Sequence, residues 1–184
     1  MPTMRRALSA ALLALASACG GDTGDPQEGE CEDYCDLVAE HCAGTVAQYP
    51  DRGSCLATCA AMDPGDPEDP TGDTVACRTF AAAAAELDSS TCPTAGPGGY
   101  GRCGTPCEAF CGLAEELCTG DLTAYADSAA CLSACAAFVP APPFDASDTG
   151  GDSFECRLYH LTAASVDPNL HCGHIGPVSP TCFD

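Results

Sequence analysis

The fold is decided by a stretch of 29 residues that occurs twice: CEDYCDLVAEHCAGTVAQYPDRGSCLATC at 31–59 and CEAFCGLAEELCTGDLTAYADSAACLSAC at 107–135. The five cysteines have the same spacing in both stretches, and twelve of the 29 positions are identical. Identity of this extent is typical of a duplicated structural unit. The sequence therefore predicts two tandem cysteine-rich modules, 31–104 and 105–184.

Each module is predicted to be helical. Cys31, Cys35, Val38 and Cys42 stand at i, i+4, i+7 and i+11, which places them on one face of a helix, and the second module repeats this stripe. A second short helix carries the next C-x3-C pair, and Asp73-Thr74 is a typical start for a third helix that reaches about Leu87. In the second module the third helix starts after Asp152-Ser153 and reaches about Val166. The predicted fold class is all-α: two tandem small disulfide-rich modules, each a C-x3-C helical hairpin with a third helix and irregular coil.

The 17 cysteines place the chain in the class of disulfide scaffolds, because a core rich in alanine buries little area per residue. Two C-x3-C helices that face each other in an antiparallel hairpin favour nested disulfides over the crossed alternative. The predicted nested pairs are Cys31–Cys59 and Cys35–Cys55 in the first module, and Cys107–Cys135 and Cys111–Cys131 in the second. The partners of the other eight cysteines stay open at this stage: Cys42, Cys77, Cys92, Cys103, Cys118, Cys156, Cys172 and Cys182.

Residues 1–18 have the pattern of a secretory signal peptide. Arg5 and Arg6 precede a twelve-residue apolar run, 7–18. Twelve helical residues span about 18 Å, which is too short for a bilayer core of about 30 Å. The sequence therefore predicts export rather than a membrane-spanning helix.

The residues that follow resemble the lipobox of bacterial lipoproteins, in which a cysteine becomes the lipidated first residue. Leu15-Ala16-Ser17-Ala18-Cys19 carries this resemblance, although Ala16-Ser17-Ala18 would also suit ordinary signal peptidase. Cys19 is left over from the two sets of eight cysteines, and acylation would account for an unpaired thiol. The resemblance implies a lipid anchor in the cell envelope, at the outer membrane or the cell surface, with 19–30 as the lipidated cysteine and a flexible acidic tether.

The charge of the chain limits its partners. The chain has 27 acidic residues and six arginines, which gives a formal net charge of −21. Nucleic acid phosphates would repel such a chain, so nucleic acid binding is excluded. The partners we expect are a membrane, through the lipid anchor, and a protein or glycan. Arg78 and Arg157, each directly after a cysteine, are expected to pair internally with acids.

Three histidines are present in the second module and absent from the first. His160, His171 and His174 correspond to Ala81, Thr91 and Thr94. Three imidazoles can hold zinc or copper, with water or a carboxylate in a remaining position. The alternative is that the histidines only hydrogen-bond to carbonyl groups of the coil. The candidate carboxylate partners are Asp152, Glu155 and Asp167.

The histidine segment also resembles a known type of protein. Cys156-Arg-Leu-Tyr-His160, His171-Cys172-Gly-His174 and Cys182 are similar to the C-R-x-Y-H … H-C-x-H segment of cysteine-rich lipoproteins of myxobacterial type. The resemblance covers residues 31–182, with only the cysteines and Arg78 shared by the first module. It implies the same disulfide-rich helical architecture and no assigned activity.

The function we expect is that of an exported, lipid-anchored structural or binding module without catalysis. The sequence contains no G-x-S-x-G, glycine-rich phosphate loop or H-E-x-x-H motif. The alternative is a metal- or cofactor-binding protein with a three-histidine site at His160, His171 and His174.

Overall fold

The computed structural model describes residues 26–138 and 143–183. The predicted signal peptide, Cys19 and residues 20–25 lie outside the described residues. Those that are described form α-helices, 3-10 turns and coil without strands, which confirms the all-α prediction. The helices are α1 (Pro26–His41), α2 (Arg52–Cys59), α3 (Val75–Ala84) and α4 (Cys92–Ala95) in the first module, and α5 (Pro106–Leu117), α6 (Ser128–Cys135), α7 (Phe154–Ala164) and α8 (Pro168–His171) in the second.

Side-chain caps set the same helix starts in both modules. Asp51 accepts a hydrogen bond from the Ser54 amide at the start of α2, and Asp127 accepts one from Ala130 at the start of α6, each at 2.8 Å. Such caps satisfy amides that have no partner within the helix. Thr105 caps α5 in a capping box with Glu108, at the predicted boundary between the modules.

Three helix bounds differ from the sequence-based prediction. The third helices end at Ala84 and Ala164, earlier than predicted, because the following amides bond three residues back in tighter turns. The first helix begins at Pro26, so residues 26–30 of the predicted tether are helical. The side chain of Gln27 donates hydrogen bonds to the carbonyls of Ala60 and Met62 just past α2, which attaches this extra turn to the module.

The hairpins carry nested disulfides. Cys31 is bonded to Cys59 and Cys35 to Cys55, and the second module has the equivalent bonds Cys107–Cys135 and Cys111–Cys131. Each inner bond joins cysteines 20 residues apart. Closing a loop of this length in the unfolded chain contributes about 3 kcal/mol to stability.

The structure also pairs the cysteines whose partners the sequence left open. One pair in each module joins the end of the first helix to the coil after the third, and the other joins the third helix to the end of the module. The pairs are Cys42–Cys92, Cys77–Cys103, Cys118–Cys172 and Cys156–Cys182. Cys118 and Cys172 are 54 residues apart, a span for which loop closure is worth about 4 kcal/mol.

A buried arginine lies at the centre of each module. Arg78 and Arg157 have side chains that are 0% and 1% exposed, and they pair with the half-exposed Asp73 and Asp152 at 2.6 and 2.7 Å. Each guanidinium also donates to backbone carbonyls of the coil after the third helix. This agrees with the expected internal pairing, and Thr74 and Ser153, rather than the aspartates, supply the helix caps.

The two modules pack against each other into a continuous core. α2 lies against α7, where the Thr58 hydroxyl contacts the Ser165 hydroxyl at 3.2 Å. Gln48 donates to the carbonyl of Phe144 at 3.0 Å, and the Phe144 amide donates to the Tyr100 hydroxyl at the same distance. Among the described residues, no helix is both long and apolar enough to cross a membrane.

Candidate metal centre

The three predicted histidines come from three consecutive elements of the second module. His160 lies on α7, one turn after Cys156, His171 is the last residue of α8, and His174 ends the 3-10 turn that follows. His160 is 6% exposed, whereas His171 and His174 are partly exposed. One side of the cluster therefore faces the core and the other faces solvent.

The structure brings the three imidazoles into direct contact. The Nδ1 atom of His160 lies 2.9 Å from Nδ1 of His171 and 3.3 Å from Nδ1 of His174. The ring centroids are 4.6 to 5.7 Å apart. All three residues offer a ligand nitrogen within 4.8 Å of the other two.

Hydrogen bonding alone does not account for this arrangement. A neutral imidazole Nδ1 carries either one proton or one lone pair, so it makes one well-formed hydrogen bond. Nδ1 of His160 faces two ring nitrogens. A cation between the three would be bound by lone pairs from all of them, and tetrahedral zinc with Zn–N bonds of 2.0–2.1 Å would separate its ligand nitrogens by about 3.3–3.4 Å. The observed 3.3 Å agrees with this value, and the observed 2.9 Å is about 0.4 Å shorter.

The environment disfavours the charged form of two of the imidazoles. The pKa of His160 is lowered to about 4, chiefly by burial and then by the nearby His174 and His171, while the Thr149 backbone acts in the opposite direction. Burial also lowers the pKa of His171, with His174 as the second cause, against the raising effect of Asp167. Neutral imidazoles have the lone pair that a metal ion requires, so protons compete weakly at neutral pH.

A second group of ligand-type residues overlaps the first. Cys156, His160 and Cys182 also lie within 4.8 Å of one another, and all three are buried. Cys156 and Cys182 are bonded to each other, so neither supplies a thiolate. The three histidines are therefore the better ligand set.

The segment of α8 and the following 3-10 turn, which carries His171 and His174 and belongs to the coil after the third helix, is held at several points. Cys172, between them, is bonded to Cys118 at the end of α5. The Tyr125 hydroxyl donates to the carbonyl of Ile175, and Arg157 donates to that of Gly176. The sequence pattern located the histidines, but the pairing of Cys118 with Cys172, which brings them beside α7, had no signal in a single sequence.

The carboxylates that the sequence suggested have other roles. Asp152 pairs with Arg157, and Asp167 caps α8 by accepting from the Leu170 amide at 3.2 Å. Asp167 is still close enough to His171 to act toward a higher pKa of that imidazole. Glu155 is buried on α7.

The first module has the same scaffold without the ligands. Cys92 is bonded to Cys42 as Cys172 is to Cys118. Thr91 occupies the position of His171, and its hydroxyl donates to the carbonyl of Ala81, the counterpart of His160, at 3.3 Å. The two copies therefore place these positions together in space, and the second alone fills them with imidazoles.

Comparison with known proteins finds one family model and a distant relative. The model described as the BfoA family C-terminal domain matches residues 26–108 and again 105–182. The Aurasperone B biosynthesis cluster protein A of Aspergillus niger is 33% identical over 68 residues, which are 37% of this chain and 22% of that protein. The chain thus spans about a fifth of the relative's length. No solved structure matches.

The metal-free protein is expected to lose stability as the pH falls from about 6.5 to about 4, because the unfolded chain binds a proton at His160 in this window and the folded chain does not. The shift from 6.5 to about 4 corresponds to about 3 kcal/mol. Thermal unfolding in the presence of a chelator, at pH values from neutral down to about 4, measures the effect. The Tm of the wild type should fall more steeply than that of His160→Ala, and parallel curves would contradict the prediction.

Proposed function

Since this chain belongs to the BfoA C-terminal domain family, as two tandem copies, we propose that it is an exported disulfide-rich protein that binds a divalent transition-metal ion in its second copy. The observation that carries the proposal is the convergence of three imidazole nitrogens on one point. The proposed ligands are His160, His171 and His174. The first copy supports the fold and the packing of the second.

The donor set favours zinc or copper. Imidazole nitrogen suits both ions, whereas calcium and magnesium prefer oxygen ligands. Cu²⁺ is the tighter binder of the two at a given nitrogen site, by the general order of divalent affinities. Three nitrogens leave a coordination position for water or a carboxylate on the solvent side, where His171 and His174 are partly exposed.

The proposed role is binding rather than catalysis. The described carboxylates near the histidines act as a helix cap and as the partner of Arg157. A protein or glycan partner of the anchored protein remains part of the proposal, and the net charge of −21 argues for a partner that is not anionic.

The disulfides support an oxidising compartment for the protein. Sixteen cysteines are paired in eight bonds, a pattern typical of secreted and periplasmic proteins. We further propose that Cys19 is acylated, which would anchor the protein in the cell envelope, at the outer membrane. Three acyl chains, as the lipoprotein resemblance implies, are more than the two signals that stable anchoring requires.

The metal site is tested by exchanging its ligands for the residues of the first copy. The triple variant His160→Ala, His171→Thr, His174→Thr should lose the metal ion, because it removes all three imidazoles. Elemental analysis and calorimetric titration with Zn²⁺ and Cu²⁺ measure the result, and we expect about one ion per wild-type chain. His41→Gln, at the remaining histidine, is the matched control and should keep the ion. Wild-type protein that binds no more metal than the triple variant would overturn the proposal.

Removal of the Cys118–Cys172 bond should weaken metal binding, because it releases the coil between His171 and His174. With Cys118→Ala and Cys172→Ala we expect a loss of about 10- to 100-fold in affinity, as for groups that orient metal ligands. The control removes Cys111–Cys131, which lies in the hairpin, and should leave the affinity unchanged. Equal losses in the two variants would show that general stability, rather than the coil, governs the site.

The lipid anchor is tested by the intact mass of the exported protein. Acylated protein should begin at Cys19, carry the mass of its acyl chains and partition into detergent. Cys19→Ser should be released in soluble form, because Ala16-Ser17-Ala18 also suits ordinary signal peptidase. A wild-type protein with an unmodified Cys19 would refute the anchor without affecting the metal site.

A further inference from the structure

The third helices of the two modules differ in how much of their surface is covered. Nine of the eleven residues of α7 are buried, against five of the ten in α3. Aligned on Cys77 and Cys156, the buried Leu158 and Thr162 correspond to the half-buried Thr79 and the exposed Ala83. One face of α7 is therefore covered by a neighbouring part of the chain that has no described counterpart at α3.

The cover on α7 is the first module. α2 lies along it, with the Ser165 hydroxyl donating to the carbonyl of Ser54 at 3.4 Å and contacting Thr58. The coil after α4 reaches the same face, where Gly98 lies against Leu158. The contact between the modules thus joins a face on the third helix of the second module to a face of the first module that is made by its second helix and late coil.

Within residues 26–138 and 143–183, nothing covers the corresponding face of the first module. α1 and α3 form a groove of about 300 Å³ whose lining includes Val75, Ala76, Thr79, Phe80 and Ala83. Phe80 is 42% exposed at this groove. Glu30 and Asp33 on α1 and Pro67 also line it, so the apolar groove has acidic residues on α1.

The described part of the chain also leaves the opposite face of the second module uncovered. In α2 Ser54 and Thr58 are buried by α7, whereas their counterparts on α6, Ala130 and Ala134, are exposed and half-buried. Leu132 on α6 is 36% exposed, and Val178, the counterpart of Gly98, is 92% exposed. Residues 128–138 contain no charged side chain.

We propose that these two faces bind each other between two copies of this chain. α6 and the coil around Val178 of one copy would occupy the groove between α1 and α3 of the next, in the way that α2 and Gly98 occupy the face of α7. The contact is head-to-tail, so it uses different surfaces on the two copies and leaves one of each free for further copies. The occupant is a second copy because the chain already contains this type of interface between its modules.

Charge makes the contact sensitive to salt. Each chain carries a formal charge of −21, and Glu30 and Asp33 border the groove, while α6 is uncharged. Repulsion between the copies acts over distances that salt screens, so added sodium chloride should strengthen association. An interface dominated by ion pairs would show the opposite dependence.

The test is sedimentation velocity of the exported full chain from low micromolar to millimolar concentration. All proteins carry Cys19→Ser and are measured in a chelator, so that neither acyl chains nor metal drives association. The protein with no further substitution, here called the wild type, should form dimers and longer species, and more of them at high salt. Phe80→Glu places a negative charge in the groove, and Leu132→Glu places one on the opposite face. Each variant should therefore be monomeric. Leu87→Glu, at a leucine that is 90% exposed outside the groove, should associate as the wild type does.

A mixture of the two defective variants decides the geometry. Phe80→Glu keeps the α6 face and Leu132→Glu keeps the groove, so together they should form a dimer with one copy of each and nothing longer. A wild type that stays monomeric at millimolar concentration, or a mixture that stays monomeric when the wild type associates, would overturn the proposal. Unchanged disulfides and Tm in both variants exclude misfolding as the cause.

Discussion

The disulfide between the end of the first helix and the coil after the third is the constraint on which each module depends. Cys42–Cys92 and Cys118–Cys172 close spans of 50 and 54 residues, the longest in the structure's eight bonds. A core built largely from alanine and cysteine buries too little apolar area to hold such a coil by itself. The coil in turn supplies carbonyl groups that accept hydrogen bonds from the buried arginines, so this bond also helps to position the acceptors in the interior of each module.

The buried arginines show how a small core accommodates charge. Arg78 and Arg157 are almost fully buried, yet their aspartate partners remain half-exposed. Water can therefore solvate the carboxylates, while backbone carbonyls satisfy much of each guanidinium. In the second module Arg157 also lies 4.0 Å from the ring centre of Phe138, which adds a cation–π contact. The Cys-Arg pair in the sequence is thus an element of architecture shared by both copies.

Duplication separates what the scaffold requires from what one copy adds. The nested bonds, the caps and the buried arginines occur in both modules, whereas the three imidazoles occur in the second. Two alanines on α6 likewise replace the serine and threonine with which α2 contacts α7. The metal centre and the contact between copies that we propose both lie where the modules differ, and they use separate surfaces.

The sequence by itself determined the repeat, the all-α class and the residues of the candidate site, because cysteine spacing, helical periodicity and differences between the copies are local patterns. It also indicated the hairpin bonds, since two C-x3-C helices restrict their pairing. It did not determine the partners of Cys118 and Cys156, or whether His160 meets His171 and His174. Those contacts join residues far apart in the chain, and many pairings are compatible with one spacing. Only the tertiary structure decided them, by placing the coil beside α7 and by packing the first module on α7.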